Sequence, residues 1–468
     1  MDVNVITKNA KGIKSAVVSL LEEGKVDEAL ELFQDNSARV LDALSEYNTQ
    51  DHEIKKRPNK QIKGGKGEYV THKLPLNTQS YINEVELFFL LGQPLKWEMR
   101  NSLPEQDELA DTYKLFLNFI KEQHYDSNNR IVKRLAGAET ECAKLYAIYK
   151  DEGEQKVKTI VLAKSLGYEI RPLFNRYGDM KAFAVGCYLK TAEGDNVKHW
   201  DIYTSETIYH CDMSQTTMDN IGWTILKEVN NIGKIPVIYF AQPKAWDGAQ
   251  ERIERLEEMD SKTADIVDYT DNPILILDKK VKNGLAGAKE VGKLIQVDSK
   301  DSVVKYLEVP NQNEAKQDER DNLEESVYLS TLTPDFTYKN VKGLGAISGA
   351  AISKANILGY IKRLNRMEIY DEAFERECSL IKAILSNILY IEKRDDINRM
   401  DIHHVYQDPA IGIDDNSEEI SRWVEMGMMS REAAVAANRN IQNKELEVER
   451  LENEAAKETE SDNINTLQ

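Results

Sequence analysis

The sequence predicts an α+β fold built around long helices, and three stretches decide it. Residues 157–241 read as short strands separated by turn signals. Residues 248–333 read as two helical legs leading out to a small domain and back. Residues 349–400 read as one long helix, since apolar residues recur there at steps of three or four and no proline lies between Pro334 and Pro409.

Taken in order, residues 1–50 carry two helical patterns, Ala16, Val17, Leu20, Leu21 and then Ala29, Leu30, Leu32, Phe33, with Gly24-Lys25 between them. That arrangement predicts a helical hairpin. Residues 54–68 interleave Lys55, Lys56, Arg57, Lys60, Lys63 and Lys66 with Pro58, Gly64, Gly65 and Gly67. A basic, glycine-bearing loop of this kind is suited to touching phosphate, so Lys55, Lys56, Arg57 and Lys60 are candidate phosphate contacts, against the plainer reading of a solvated loop. From Leu74 to Met99 an apolar face (Tyr81, Val85, Phe88, Phe89) leads into Leu90-Leu91-Gly92-Gln93-Pro94, a helix closed by glycine and proline. Residues 107–151 predict two more helices, one around Leu115 to Phe119 and one from Ile131 to Tyr149.

Strand-like runs follow at Thr159–Ala163, Ile170–Phe174, Ala182–Leu189, His199–Tyr203 and Ile235–Phe240. Tyr177-Gly178-Asp179 and Glu193-Gly194-Asp195 supply turns, and a substantial antiparallel sheet is expected. The first leg, 248–272, has its apolar face at Ile253, Leu256, Met259, Ile266 and Val267 and stops at Asn272-Pro273. Residues 273–312 form the small domain, with strands at Ile274–Leu277 and Val303–Val309. The second leg, 313–333, is charged, turns apolar near its end, and is stopped by Thr333-Pro334-Asp335. A weakly basic glycine-rich loop, 334–348, separates it from the stripe Ile357, Ile361, Leu364, Met367, Tyr370, Phe374, Cys378, Ile381, Leu385 and Ile388. A helix of about forty residues would be ~60 Å long, enough to bridge layers or subunits. Beyond Pro409, residues 416–436 predict a short helical pair with a turn and new cap at Met426–Glu432. The last stretch, 441–468, holds eight acidic and three basic residues, and is expected to be a partly disordered tail.

Composition narrows the function. The 468 residues carry a net charge of −19, which argues against a static nucleic-acid clamp but not against a channel that DNA passes through. Cys142, Cys187, Cys211 and Cys378 are widely spaced and lack a CxxC pair, so neither a disulfide framework nor a cysteine-rich zinc site is expected. The first residues have no signal-peptide pattern and no run approaches a membrane span, so the chain is expected to be intracellular when made.

No catalytic residues, metal or cofactor are expected. His403-His404 and His210-Cys211 are adjacent pairs whose side chains do not converge from a regular element. Asp395-Asp396 and Asp414-Asp415 read as turn or cap residues, and HExxH, GxSxG and GxxxxGK[ST] are absent. Gly343-Leu344-Gly345-Ala346-Ile347-Ser348-Gly349 superficially suits a nucleotide, but its spacing is GxGxxxG and the following helix is too long for a βαβ unit.

Several segments together resemble the portal proteins of tailed double-stranded DNA phages, in the branch with long non-contractile tails. Leu90-Leu91-Gly92-Gln93-Pro94 is similar to that family's helix end. Asn231-Ile232-Gly233-Lys234-Ile235-Pro236-Val237-Ile238-Tyr239-Phe240 is similar to the start of one of its strands. The helix through Ile253 and Ile266 followed by Asn272-Pro273-Ile274-Leu275-Ile276-Leu277 resembles its step from stem to clip, and Gly343–Ala351 resembles the end of its tunnel loop. The likeness covers roughly residues 50–435.

The resemblance implies a portal fold. Residues 1–247 would be an α/β wing with an N-terminal helical arm, 248–272 and 313–333 a two-helix stem, and 273–312 a small α/β clip. Residues 334–348 would be the tunnel loop, 349–400 a long wing-to-crown helix, 401–440 a short helical crown and 441–468 the tail. Lys339, Asn340, Lys342, Gly343, Leu344 and Gly345 would then face DNA by loop position alone. The implied partners are about a dozen copies of the chain itself in a ring, double-stranded DNA, the terminase large subunit, the major capsid and scaffolding proteins and a head–tail adaptor, with no membrane. The implied place is the capsid portal vertex of the virion, and the host cytoplasm during assembly. The remaining rival is a coiled-coil scaffolding protein built on 350–390, which the sheet-bearing segment makes a poorer fit.

Overall fold

The computed structural model describes residues 12–61, 68–190, 196–217, 220–270, 275–277, 304–306, 313–336, 356–409, 417–437, 447–448 and 450–451. The chain divides into two units, one of residues 1–335 with 357–409 and one of 336–356 with 410–468.

In the larger unit the arm is three helices, α1 (Ile13–Glu22), α2 (Val26–Leu30) and α3 (Ser37–Tyr47). Gly24, at φ +79°, turns the chain between the first two, where a side chain would be strained. Past a 3-10 turn at Glu53–Lys56 come two short paired strands, β1 (Lys60–Gln61) and β2 (Glu68–Tyr69). Helix α4 (Thr78–Leu91) ends at Gly92 as expected, and β3 (Lys96–Met99) follows. Helix α5 (Leu103–Glu122) starts on a capping box, Ser102 and Glu105 satisfying each other's backbone N–H groups. Helix α6 (Tyr125–Glu139) stops at Thr140, which takes φ +67°.

That stop corrects the sequence reading, which carried this helix on to Tyr149. Residues Glu141–Asp151 are instead a strand, β4, central in a three-stranded antiparallel sheet with β5 (Glu154–Leu162) and β11 (Val237–Ala241). Glu141 through Tyr146 are all buried, so both faces of β4 are covered and no alternation marks it. The larger sheet runs β10-β9-β8-β7-β6, all antiparallel, from β6 (Glu169–Phe174), β7 (Met180–Lys190), β8 (Asn196–Tyr203), β9 (Thr207–Thr217) and β10 (Asn220–Val229). Gly178 makes the predicted turn between β6 and β7, at φ +86°. The turn predicted at Glu193–Asp195 lies outside the described residues. The sequence reading passed over β9 and β10, although Tyr209, Cys211 and Met213 and then Ile221, Trp223 and Ile225 alternate along them.

One face of the five-stranded sheet is covered by the arm. Val17, Leu21, Val26, Ala29, Leu30 and Phe33 pack on Leu173, Ala182, Ala184, Trp200, Ile202, Tyr209 and Cys211. Part of the other face meets the small sheet, with Phe183, Val185 and Tyr203 against Ala143, Leu145 and Val237.

The two legs are α7 (Gln250–Thr270) and α8 (Asn313–Ser330), and between them β12 (Leu275–Leu277) and β13 (Val304–Tyr306) pair antiparallel within the stretch read as the small domain. The long helix α9 spans Ile357–Ile384 and runs into a π-helical turn at Leu385–Leu389. Its 28 residues rise ~42 Å, shorter than the sequence pattern suggested. The π turn ends the regular ladder, and a 3-10 turn at Ile391–Lys393 and helix α10 (Arg394–Arg399) break what had been read as helix through residue 400. Strand β14 (Ile402–Val405) then pairs antiparallel with β3, so residues 401–409 belong to the larger unit rather than to the segment after it.

In the second unit the described elements are helices α11 (Ser417–Glu425) and α12 (Arg431–Ala437). Gly427, at φ +68°, forms the turn between them, and the Ser430 hydroxyl accepts the Ala433 N–H at 3.1 Å, the cap expected there.

Helix α9 crosses α4 at Gly359, where an added Cβ would lie 2.3 Å from the Phe89 ring. We expect Gly359→Ala to destabilise by about 1–3 kcal/mol, the overpacking outweighing the helix propensity gained. A fall in the urea midpoint at unchanged slope, partly relieved by adding Phe89→Leu, checks this contact.

Candidate functional site

The two legs are held together by charge along their outer surface and by apolar packing at their base. Arg255 meets Glu319 at 2.9 Å and Arg320 meets Asp260 at 3.0 Å. Nearer the body, Ile253 and Leu256 of α7 share a cluster with Val327 of α8, Ile82 of α4 and Trp246. The chain leaves α8 through Thr331, Leu332 and Thr333, and the Tyr81 hydroxyl donates to the Pro334 carbonyl at 3.0 Å. Residues 337–355 lie outside the described residues, and Lys339, Asn340, Lys342, Gly343, Leu344 and Gly345 lie with them.

What can be described is the base of that loop. Lys362, in the second turn of α9, donates to the Thr333 hydroxyl at 3.4 Å and to the Ala245 carbonyl at 3.1 Å. The same ammonium lies 3.2 Å from Glu86 of α4. One buried side chain therefore joins the approach to the first leg, the exit from the second, and the helix on which the chain returns.

Glu86 is the centre of a larger network. Lys133 of α6 lies 2.6 Å from it and Arg366 of α9 2.9 Å, and the Gln242 amide donates to it at 3.2 Å. Burial alone would raise the Glu86 carboxyl, but Lys133, Lys362 and Arg366 outweigh it and hold the group far below the carboxylate range. Burial pulls Lys362 down to about 8 in spite of Glu86. A second network lies further along α9. Glu377 is ion-paired with Lys144 of β4 and accepts from the hydroxyls of Tyr125, at 2.8 Å, and Tyr146, at 2.5 Å.

Three of the four candidate positions in the predicted basic loop have carboxylate partners within the chain. Arg57 donates to Asp265 of α7 at 2.7 Å and to the His72 carbonyl at 2.9 Å, and Lys60 lies 3.7 Å from the same carboxylate. Lys56 pairs with Glu53 at 2.6 Å on the surface, and Lys55 is half-buried. Arg57 and Lys60 thus strap this segment along the first leg, and with its carboxylate and carbonyl partners Arg57 is engaged rather than offered to phosphate. His52 makes a similar tie: its Nδ1 lies 2.6 Å from Glu257 of α7 and its Nε2 2.7 Å from the Glu46 carbonyl.

Polar groups also gather on the five-stranded sheet, where His199, Asp201 and His210 bring their ligand atoms within 4.8 Å of one another. The sequence reading weighed adjacent pairs such as His210-Cys211 and the HExxH and CxxC patterns. The signal it passed over is His199 and Asp201, two apart on a strand and therefore on one face. Glu86 and Glu377 left no signal, because each sits in a helix where a charged residue reads as solvent-facing.

A sequence model of the phage portal protein family of the SPP1 Gp6-like type matches residues 34–461. The chain belongs to that family. Its mixed helix-and-sheet architecture is a portal fold. No curated protein sequence matches this portal protein. Among solved structures, a chain from the neck of an empty GTA particle computed with C6 symmetry is similar at 9% identity and TM-score 0.42, over 80% of this chain and 89% of that one. A chain from the virion of a native gene transfer agent particle is similar at 10% identity and TM-score 0.36, over 75% and 86%. A chain from the neck of a native GTA particle computed with C12 symmetry is similar at 8% identity and TM-score 0.40, over 77% and 89%.

Two predictions follow the geometry of this portal protein. Glu86→Gln leaves buried Lys133 and Lys362 and partly buried Arg366 without their counter-charge and should cost about 3–5 kcal/mol, read as a lowered denaturant midpoint. For His52, burial opposes the charge, but the hydrogen bond and charge of Glu257 outweigh it and raise the pKa above 6.5. A raised histidine contributes stability that is fully present below its unfolded value and is lost as pH climbs through the folded one. The stability gap between the wild type and His52→Gln should therefore be widest near pH ~6 and narrow as pH rises past neutrality. A gap that widens with pH would show the imidazole to be held neutral.

Proposed function

We propose that this portal protein assembles into a ring of roughly a dozen copies at one capsid vertex. The ring docks the DNA-packaging motor, conducts double-stranded DNA in and out of the capsid, and joins head to tail. Its role is structural rather than enzymatic. The observation that carries this reading is the family match across residues 34–461, nearly the whole chain.

The fold supports the assignment of parts. Residues up to 247 serve as the wing, α7 and α8 as the stem, and the β12–β13 pair belongs to the clip, the face offered to the terminase and later to a head–tail adaptor. The loop 334–348 lines the tunnel, with Lys339, Asn340 and Lys342 near DNA and Gly343 and Gly345 giving the segment freedom to yield. The first turns of α9 fit a ring subunit: Ile357, Ile361 and Leu364 are 57%, 41% and 62% exposed. A neighbouring copy in a closed ring is the cover we assign to these residues. Capsid and scaffolding proteins would meet the wing, in the virion and, during assembly, in the host cytoplasm.

Mass in solution with negative-stain imaging tests the proposal first. Annular particles of roughly a dozen subunits with a central hole are expected, whereas a stable dimer or trimer would favour the coiled-coil rival. Deleting Lys339–Gly345 should leave rings intact and impair DNA packaging or retention in an infection assay. Normal packaging and retention by that deletion would remove the loop from the DNA path.

A further inference from the structure

The five-stranded sheet carries a polar cluster on the face opposite the helical arm. Strand alternation puts His199 and Asp201 of β8 side by side, while Trp200 and Ile202 between and beyond them point into the core under α1 and α2. The β8–β9 register then sets Asp212 opposite His199 and His210 opposite Asp201. The two imidazoles stack, their centroids 6.3 Å apart and their planes 20° from parallel. Because β8 and β9 are both interior strands, hydrogen-bonded on each side, the backbone holding these groups is fixed.

Hydrogen-bond accounting shows that this cluster holds cationic charge. His199 Nε2 lies 2.8 Å from Asp201 Oδ1, and His210 Nδ1 lies 2.5 Å from the same oxygen. The other nitrogen of each ring also faces a carboxylate, His199 Nδ1 at 2.7 Å from Asp212 and His210 Nε2 at 3.3 Å from Glu228. A neutral imidazole has one N–H to give, yet each ring faces two acceptors. If each ring gives its N–H outward, to Asp212 and to Glu228, the inner nitrogens are left as lone pairs facing the same Asp201 oxygen, and a cation has to take the place of the protons between them. That is the arrangement of a metal site in which ligating histidines are oriented by carboxylates on their far nitrogens.

We propose that His199, Asp201 and His210 bind one divalent transition-metal ion of the zinc class, with Asp212 and Glu228 as positioning residues. Two imidazoles and a carboxylate suit zinc, cobalt or nickel and not magnesium or calcium, which prefer oxygen donors throughout. Three protein ligands leave a coordination position for water or for a donor from outside the chain. Cys187, directly across from His199 in the β7–β8 register and half-buried, is a further donor on the neighbouring strand. The ion would cross-link β8 to β9 by side chains.

The full-length chain, stripped with chelator and dialysed, is titrated with cobalt(II), and the visible d–d absorption and bound metal per subunit are measured. One cobalt per subunit is expected, displaced by zinc and not by excess magnesium. His199→Gln and His210→Gln, each checked by circular dichroism for an intact fold, should lose that uptake. Asp212→Asn should weaken it by ~10–100-fold. His404→Gln, on β14 in another sheet, should bind like the wild type. The wild type should also gain thermal stability with zinc, and the two histidine variants should not. Absence of stoichiometric cobalt or zinc at micromolar concentration would overturn the site and leave a proton-filled ion-pair cluster. Uptake unchanged in either histidine variant would overturn it equally.

Discussion

The larger unit depends on a carboxylate that has no access to water. Glu86 is 2% exposed and sits among Lys133, Lys362 and Arg366, contributed by α6 and α9. Taking such charges out of water costs several kcal/mol per ion, so the cluster persists only because each group finds its partners together. That requirement fixes where α4, α6 and α9 cross. It also reaches beyond the helices: the Gln242 amide that donates to Glu86 accepts from the Tyr370 hydroxyl at 3.0 Å, which ties in the end of β11.

The same requirement explains which parts of the fold were legible. Segments whose buried faces are apolar were read nearly to the residue: the Leu90-Leu91-Gly92 helix end, the two legs, the strands at Glu169–Phe174 and Met180–Lys190, and the turn with new cap at Ser430. Glu141–Tyr149 was read as helix because burial of Glu141–Tyr146 on both faces erases alternation, and that stretch holds Lys144, a residue that signals solvent anywhere else. Along α9 the pattern was partly inverted. Ile357, Ile361 and Leu364 of the apolar stripe are exposed, while Lys362, Arg363 and Glu377 are buried. Hydrophobic periodicity measures one interface, and α9 buries ionic groups over its first half and, after Tyr370, a mainly apolar face interrupted by Glu377.

The candidate site was legible to a different degree. A basic run such as Lys55 to Lys60 carries charge in the sequence but not the address of its partners, and Asp265, more than two hundred residues away, engages Arg57 and Lys60. His199, Asp201 and His210 converge through strand register, a property set by pairing across the sheet rather than by spacing along the chain. Family likeness supplied what local chemistry did not, because its information lies in the order of segments over most of the chain.

Ionic networks in the middle of a long helix also answer a problem of register. A stripe of Ile and Leu repeated every three or four residues packs almost as well after sliding one turn, ~5.4 Å. Apolar replacements for such networks are often as stable, so stability alone is a weak reason to keep them. Position is a stronger one. Lys362 and Arg366 answer to Glu86, and Glu377, about 16 Å beyond Arg366 at ~1.5 Å per residue, answers to Lys144. A one-turn slip breaks both contacts at once and leaves several charges buried and unpaired. The helix is pinned at two points, and with it Lys362, whose ammonium also holds Thr333. The two ends of the segment between α8 and α9 are thereby tied to one place on the body.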